Sequence, residues 1–421
     1  MKKKRWIFAA AAMLLSAAVC LGACGGGKAN AEDPAAEAET GTSLSADEEQ
    51  VAIGVSVYNT EDAEVQAFRK YFEDYLGPAF DVKFYYSNSI LQDEEEIAFI
   101  DQLHDAGVKG LISFLSTDLD AVLSRCDEYG MYYMRGSGSV SDEAFKKAAA
   151  HESFLGIIGP NEELERSAGR DMASFFASQR AESITEYLLI AGGGSLGNEM
   201  HAIRTEGMLE VLRDTAGVQI GGSIPELARS AEITELASED GTKTVTILPG
   251  YLRDATLDNL QTALDGHAYD VVMGALALGP VTDQLKEAEA AYGKDILIGT
   301  VDAFTEPNLD LFLEKDAGGN PVLNYVTGKY GATVGPAFAA MYNACTGEAD
   351  FLRVDGEPFQ LTMPFWTASD EDTYVELYDR SIDIYDNIYS TQDLRSVIRE
   401  YSPDASFEEF RMLTEKDWLQ E

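Results

Sequence analysis

Residues 53–74, IGVSVYNTEDAEVQAFRKYFED, join a β-branched run to a helical pattern, and this junction decides the fold class. Val51–Val57 reads as a short strand, and residues 62–76 read as an amphipathic helix. Similar runs recur with helical segments between most of them, which predicts a parallel α/β fold. The other predicted strands are 82–86, 110–114, 132–134, 155–158, 183–190, 244–248, 271–273, 296–299 and 322–326.

The strand pattern restarts near Asn161 and exceeds what one compact α/β unit usually holds. We therefore predict two doubly wound, Rossmann-like parallel-sheet domains joined by a three-segment hinge. The predicted N-terminal domain is 51–158 plus 330–358, and the C-terminal domain is 159–329. The predicted hinge crossovers are 158–161, 327–330 and 358–362. Residues 359–421 are predicted to form a helical extension that packs on the C-terminal domain.

The N-terminus has the pattern of an export signal. Residues 2–5 are basic, residues 6–19 are apolar, and the run closes on LGAC at 21–24. This looks like a bacterial lipoprotein signal peptide over residues 1–23, in which small residues give a peptidase access to the bond before Cys24. Cys24 would then carry the lipid, a palmitate-type membrane anchor. The alternative is a transmembrane helix, because roughly 18 residues just span a bilayer.

Residues 24–50 consist mainly of Gly, Ala, Ser and acidic residues, a composition that cannot bury a core. We expect this segment to be a disordered acidic tether after the lipidated Cys24. The remaining chain is accordingly predicted to lie at the extracytoplasmic face of the bacterial cell membrane, anchored by lipid.

The composition excludes several classes of function. A formal net charge of −42 argues against a nucleic-acid partner, since phosphate binding needs a basic surface. The four histidines are scattered, without HExxH or paired CxxC motifs, so no metal site is predicted. Cys126 and Cys345 remain outside the N-terminal segment, and they form either one disulfide or two buried thiols. No cofactor is expected.

A glycine-rich segment, GGGSLG at 192–197, matches GxGxxG after a predicted strand and before a helix. Such a loop suits a dinucleotide pyrophosphate. However, Asp214 falls within the helical segment, whereas a ribose-binding acid should end the next strand, 218–220. The sequence therefore favours a loop that faces a crevice. There is no GxSxG elbow or SxxK nucleophile, so no catalytic residues are predicted.

Ligands of doubly wound sheets lie at the carboxyl ends of the strands, and residues from both domains would meet there. Arg135, Arg204 and Lys329 stand out in a chain with few cations, although surface ion pairing is the alternative for each. Tyr58 and Tyr330 offer flat faces to a ligand ring. The residues that follow predicted strands are Tyr58, Asn59, Ser116, Thr117, Arg135, Asn161, Asp302 and Tyr330.

Taken in order, several segments resemble the type I periplasmic binding proteins, particularly the ribose/galactose-type solute-binding lipoproteins of ABC importers. The resemblance covers most of residues 51–350. Its carriers are 53–74, AGVKGLISFLSTD at 106–118, GIIGPNEELERSAGRDMASFF at 156–176, IRTEGMLEVL at 203–212, LIGTVDAF at 297–304 and TGKYGATVGPAFAAMYNACTGE at 327–348.

The resemblance implies roles for individual residues. Asn59 would lie on the ligand-facing loop after the first strand, and Arg135 near the end of the fourth strand. Arg204 resembles the arginine that clamps sugar hydroxyls, and Asp302 resembles the aspartate that accepts hydrogen bonds from them. This pairing is physically sensible because a guanidinium only donates and a carboxylate only accepts. The alternative for Asp302 is a helix-capping or turn role.

One departure concerns the family's NDxxALG signature, which appears here as MGALALG at 273–279 without the polar pair. The expected function is a monomeric receptor that captures a small polar ligand, with a sugar or polyol favoured, and delivers it to an ABC permease by hinge closure rather than catalysis. The alternatives are a ligand receptor for a membrane sensor kinase and a surface enzyme on the same scaffold.

Overall fold

The computed structural model describes residues 50–115, 118–138, 140–179, 183–253, 255–316, 318–383, 385 and 387–416. The predicted signal peptide, Cys24, the tether up to residue 49, Ser116 and Thr117 lie outside these residues. The strands are β1 (Val51–Val57), β2 (Val82–Ser89), β3 (Gly110–Ser113), β4 (Tyr132–Arg135), β5 (Phe154–Gly159), β6 (Glu186–Gly192), β7 (Thr234–Ala237), β8 (Thr244–Pro249), β9 (Val271–Gly274), β10 (Leu297–Val301), β11 (Tyr325–Gly328), β12 (Phe359–Thr362) and β13 (Trp366–Ala368).

Helices alternate with most of these strands. They are α1 (Ala63–Lys70), α2 (Gly77–Phe80), α3 (Asp93–Asp105), α4 (Leu119–Tyr129), α5 (Asp142–Ala148), α6 (Glu162–Gln179), α7 (Glu199–Ala216), α8 (Ile224–Ala228), α9 (Ala255–Gly266), α10 (Thr282–Tyr292), α11 (Glu306–Leu313), α12 (Gly335–Cys345), α13 (Glu371–Ile382), α14 (Thr391–Ser396) and α15 (Phe407–Thr414). None of these described helices is both long and apolar enough to cross a membrane.

The first helix begins where the sequence predicts and then changes type. The Asp62 carboxylate caps α1 by accepting hydrogen bonds from the backbone N–H groups of Glu64 and Val65. The predicted single helix over 62–76 is wrong in its second half, because Tyr71–Leu76 forms a π-helical turn before α2. Tyr71, Phe72, Tyr75 and Leu76 are all buried there. The wider turn directs these bulky side chains into the core.

Two sheets confirm the predicted α/β class. The first has the strand order β12-β5-β4-β3-β1-β2, and all its pairs are parallel. The second has the order β13-β11-β10-β9-β6-β8-β7, with antiparallel edge strands β7 and β13. The sequence missed β7, β12 and β13, because short edge strands lack the continuous apolar runs of buried parallel strands. We call the two sheets with their helices the N-terminal and C-terminal lobes.

Three crossovers connect the sheets. The chain leaves β5 at residues 160–161 to start α6, and it returns from β11 through residues 329–334 to α12. These two match the predicted hinge segments. The third prediction, 358–362, is wrong in position, because residues 359–362 pair with β5 as β12. The chain crosses at residues 363–365 instead, before β13 joins the second sheet.

The C-terminal extension does not pack only on the C-terminal lobe, which corrects the prediction for residues 359–421. Helix α13 packs against α11 and β13, whereas α14 and α15 pack against α12 of the N-terminal lobe. The reason lies in α12, in which residues 335–344 are all buried. A helix that is apolar on all sides needs cover on both faces, and the first sheet covers only one. The tail helices cover the other.

Candidate functional site

Acidic and aromatic groups follow β1 at its carboxyl end. Tyr58 is half-buried, and its hydroxyl group lies within hydrogen-bonding range of Asp62. Burial, followed by the charges of Glu64, Asp62 and Asp302, raises the pKa of Tyr58 far above its usual range. Tyr58 is therefore a neutral hydrogen-bonding group. The 3.0 Å contact between Glu64 in α1 and Lys329 after β11 shows that residues of the two lobes approach one another here.

Asp302 follows β10 at the carboxyl end of the second sheet. Its Oδ1 atom accepts a 2.7 Å hydrogen bond from the Ala303 N–H, and its Oδ2 atom accepts one of 2.7 Å from Asn308 Nδ2. Burial raises the pKa of Asp302 to about 6, with smaller contributions from Glu64 and Asp62, although both hydrogen bonds oppose the shift. Asp302 thus has local turn contacts and also faces the acids after β1.

An ion pair joins the lobes beside these acids. Lys329, which follows β11, places its Nζ atom 3.0 Å from Oε1 of Glu64 in α1. The two side chains are only 11% and 15% exposed. An ion pair with this little exposure is weakly screened by solvent, so it links the two lobes more firmly than a surface pair does.

Arg204 lies at the same edge of the C-terminal lobe. It is 7% exposed, and its Nε atom donates to Glu165 Oε2 over 2.5 Å. Its Nη1 atom donates to the Ala275 carbonyl oxygen over 2.9 Å. Ala275 directly follows β9, so these contacts hold the guanidinium group at the carboxyl end of that strand. Glu165 was not found from the sequence, where it is one of 73 acidic residues.

The glycine-rich loop is packed by side chains rather than open to a phosphate. The Gly193 N–H donates to His201 Nδ1 over 3.0 Å, so Nε2 carries the proton of the neutral ring. A Cβ atom at Gly192 would lie 2.6 Å from His201 Nδ1, and one at Gly193 would lie 2.4 Å from Tyr251 Cζ. Burial, with the cations Arg204 and Lys329, lowers the pKa of His201 to about 3. These contacts account for the glycines without a dinucleotide.

Backbone groups occupy the place where the NDxxALG pair is missing. The Ala275 carbonyl accepts from Arg204, and the Leu276 carbonyl accepts a 2.7 Å hydrogen bond from Thr300 Oγ1. A Cβ atom at Gly274 would lie 2.6 Å from the Leu278 side chain. The same Cβ atom would lie 2.7 Å from the Leu276 carbonyl oxygen, so a polar side chain at position 274 would require both Leu278 and the backbone to move.

The other predicted site residues have different surroundings. Asn59 is exposed and accepts a hydrogen bond from the Glu61 N–H in a local turn. Arg135 is 3% exposed at the end of β4, where its charge acts on Tyr133. Asn161 caps the start of α6 through the Leu164 N–H and donates to Thr362 Oγ1 over 3.1 Å. It thereby joins the first crossover to the end of β12.

Tyr330 is fully buried within the hinge region. Its ring stacks on Trp366, with centroids 3.5 Å apart and planes 8° apart. Tyr330 lies in one crossover, and Trp366 begins β13 directly after another. The structure thus places Tyr330 in the packing between crossovers, and it brings together Tyr58 and Asp302, but not Tyr330, at the facing strand ends.

The described residues contain one group of acids close enough to hold a metal ion, with ligand atoms of Glu289, Asp295 and Asp316 within 4.8 Å of one another. Asp295 precedes β10, so this group lies at the opposite edge of the sheet from Asp302. Cys126 is buried, Cys345 is half-buried, and both are free thiols.

The chain has two α/β lobes, crossovers between their sheets, and polar groups at facing strand ends. These features define the type I periplasmic binding protein fold. Solved structures of that class match the chain. One is an ABC transporter solute-binding protein from Bacillus halodurans C-125 with bound myo-inositol, which has a TM-score of 0.53 and 16% identity and covers 80% of this chain and 98% of its own. Another is a solute-binding protein from Actinobacillus succinogenes 130z with bound D-allose, with a TM-score of 0.55, 11% identity and coverages of 78% and 100%.

A galactofuranose-binding protein is also similar, with a TM-score of 0.54, 13% identity and coverages of 79% of this chain and 98% of its own. These neighbours are solute-binding proteins, not enzymes. No protein-family model matches the chain, and no curated sequence does. At these identities, the likeness establishes the fold.

Proposed function

We propose that this protein is a solute receptor that captures a sugar or polyol between its two lobes. The observation that carries the proposal is that strand ends of the two lobes meet, since Lys329 after β11 lies 3.0 Å from Glu64 in α1, and the segment of Asp302 is hydrogen-bonded alongside Lys329. Arg204 lies at the same sheet edge as Asp302. Together they offer hydrogen-bond donors and acceptors to a polyhydroxyl ligand, whose hydroxyl groups can satisfy both.

The bound ligands of the structural neighbours support this ligand class. The neighbours carry myo-inositol and D-allose, which are both rich in hydroxyl groups. In our proposal Tyr58, Arg204 and Asp302 contact the ligand, with Asn59 and Arg135 at the N-terminal rim. Asn161 and Tyr330 act in the hinge, where each connects one crossover to a strand that borders the third, β12 for Asn161 and β13 for Tyr330.

The mechanism we propose is closure of the lobes, as two domains, about the three crossovers. Ligand shifts the equilibrium towards the closed form only through contacts that the open form lacks. The Lys329–Glu64 ion pair is one contact that closure forms between the lobes. This ion pair can form without ligand, so it determines what fraction of the ligand-free protein is closed.

We further propose that the monomeric receptor is anchored by lipid on Cys24 at the extracytoplasmic face of the membrane and delivers its ligand to an ABC permease. Support comes from the LGAC motif and from neighbours that are components of ABC transporters. Cells labelled with radioactive palmitate should incorporate the label into the wild-type protein and not into the Cys24→Ala variant. Equal labelling of the two proteins would contradict the lipid anchor on Cys24.

The test of ligand class is a thermal-shift screen of the purified protein against sugars, polyols, nucleosides, amino acids and amines. Ligand at 100 times its dissociation constant should stabilise the protein by about 2.7 kcal/mol. A shift with a sugar or polyol, confirmed by calorimetric titration, supports the proposal. A response confined to nucleosides or amines would contradict the proposed ligand class.

A further inference from the structure

Glu165 is a fully buried acid in the first turn of α6, and it touches the proposed site through Arg204. Its side chain is 1% exposed, and its Oε2 atom accepts the 2.5 Å hydrogen bond from Arg204 Nε. The first turn of a helix favours negative charge, because the backbone N–H groups there are not paired within the helix. The local structure therefore favours an acidic side chain at this position.

The second oxygen of Glu165 distinguishes it from a simple ion-pair partner. Oε1 is buried and has no hydrogen-bond partner among the described residues. Buried polar groups in native proteins nearly always have partners, so an exception calls for an explanation such as a ligand or a water molecule. Among the described residues, Arg204 donates hydrogen bonds through Nε and Nη1, so its Nη2 group remains available as a donor.

The position of this donor and acceptor is fixed by Ala275. Since Arg204 Nη1 donates to the Ala275 carbonyl, the Glu165–Arg204 pair lies beside the end of β9. At the end of this strand the family signature would carry its polar pair, and this chain has Met273 and Gly274 there instead. Glu165 thus brings a carboxylate from α6 to a strand end that lacks polar side chains of its own.

We propose that Glu165 is a ligand-binding and specificity-determining residue, whose Oε1 atom accepts a hydrogen bond from one hydroxyl group of the bound sugar or polyol. The same hydroxyl group, or its neighbour on the ring, accepts from Arg204. The inference rests on the proposed function. It identifies Glu165 as the residue that replaces, in this chain, the missing Asn-Asp pair of the NDxxALG signature. It requires that the ligand present a hydroxyl hydrogen at this position, so an analogue without that hydroxyl group binds poorly.

The test compares the wild type with Glu165→Gln by calorimetric titration of myo-inositol, D-allose and D-arabinose. Glutamine keeps the shape but replaces the paired carboxylate by a neutral amide. We expect at least a tenfold loss of affinity for the sugar that binds the wild type. A series of monodeoxy analogues of that sugar then distinguishes a direct contact between Glu165 and the ligand from an indirect structural effect of the substitution. Removing the hydroxyl group that meets Glu165 should weaken wild-type binding at least tenfold and weaken binding to the variant by a clearly smaller factor, because the variant has already lost that hydrogen bond.

Glu206→Gln is the matched control. Glu206 is also buried and also in an α6–α7 ion-pair cluster, but both of its oxygens have partners, Arg166 and Arg229. This control should lower the melting temperature without changing sugar affinity. If the wild type binds sugar and Glu165→Gln binds equally well, or if no deoxygenation couples to Glu165, the inference is overturned and the proposed function stands. If the wild type binds no sugar or polyol, in this titration or in the thermal-shift screen, both fall.

Discussion

The Asp302 carboxyl group should impose a measurable pH dependence on folding. Its folded pKa of about 6 lies above the ordinary value of 3.8, so the folded state binds the proton more tightly than the unfolded state. The resulting penalty is absent below about pH 4, grows as the pH rises through this window and is complete above about pH 6. Asp302→Asn removes it, so the variant should be more stable than the wild type by about 1–3 kcal/mol at pH 7.

Urea unfolding of both proteins from pH 3.5 to 7.5 measures this effect, because contributions from other acids cancel in the difference. The difference should be close to zero at the acid end and reach its full size near neutral pH. A difference that does not change with pH would contradict the burial of Asp302 as an ionised group. The same variant should bind the sugar ligand at least tenfold more weakly, since it loses a charged acceptor.

Individual residues show which features of the candidate site could be predicted from the sequence and which could not. Asp302 and Arg204 were identified because they follow recognisable strand and helix patterns, and they lie at the predicted sheet edge. Glu165 was missed, because its importance depends on contact with Arg204, 39 residues away. Tyr330 was placed at the site because it follows a strand, but its stacking on Trp366 depends on two crossovers meeting. Contacts between distant segments have no local signal.

At the level of elements, the packing of α6 against α7 positions Arg204. A Cβ atom at Gly169 in α6 would lie 2.0 Å from the Arg204 carbonyl oxygen in α7, and one at Gly207 would lie 2.2 Å from the Arg166 carbonyl oxygen. Only glycine allows the backbones to approach this closely. Gly169→Ala should therefore separate the helices and destabilise the protein by about 1–3 kcal/mol, as overpacking does.

The displacement should also weaken sugar binding, because it moves Arg204 away from the strand end. Denaturant unfolding and calorimetric titration measure the two effects. Gly266→Ala at the end of α9 is the control, since a Cβ atom there meets nothing within 4 Å. It should leave stability and affinity almost unchanged. Unchanged stability in Gly169→Ala would show that the two helices are not held at this distance.

The length and the apolar pattern of each strand explain which elements could be predicted from the sequence. Buried strands such as β3 and β5 are continuous apolar runs and were recognised, with bounds close to those observed. Strand β12 was not recognised, because its alternation of apolar and polar residues, FQLT, extends over only four residues. Because β12 was not predicted, the third crossover was placed too early in the chain. For the same reason, the division of helices α13, α14 and α15 between the two lobes was not recognised.

For the whole molecule, the Lys329–Glu64 ion pair should control how far the receptor closes without ligand. Lys329→Met removes the ammonium group and leaves Glu64 nearly buried and unpaired, which disfavours the closed form. A hydrogen bond to a charged group contributes about 1.5–3 kcal/mol, so we expect roughly a tenfold shift or more towards the open form. Small-angle X-ray scattering of the ligand-free variant should show a larger radius of gyration.

The same shift should weaken sugar affinity by a similar factor, because ligand must then supply the energy of closure that the ion pair contributed. Lys286→Met is the control, since Lys286 pairs with Glu314 within the C-terminal lobe and both are more exposed. It should change neither the radius of gyration nor the affinity. If Lys329→Met behaves like this control, the ion pair does not act between moving lobes, and closure must depend on contacts at the hinge itself. If only Lys329→Met opens the protein, charge at the lobe interface sets the resting state of the receptor.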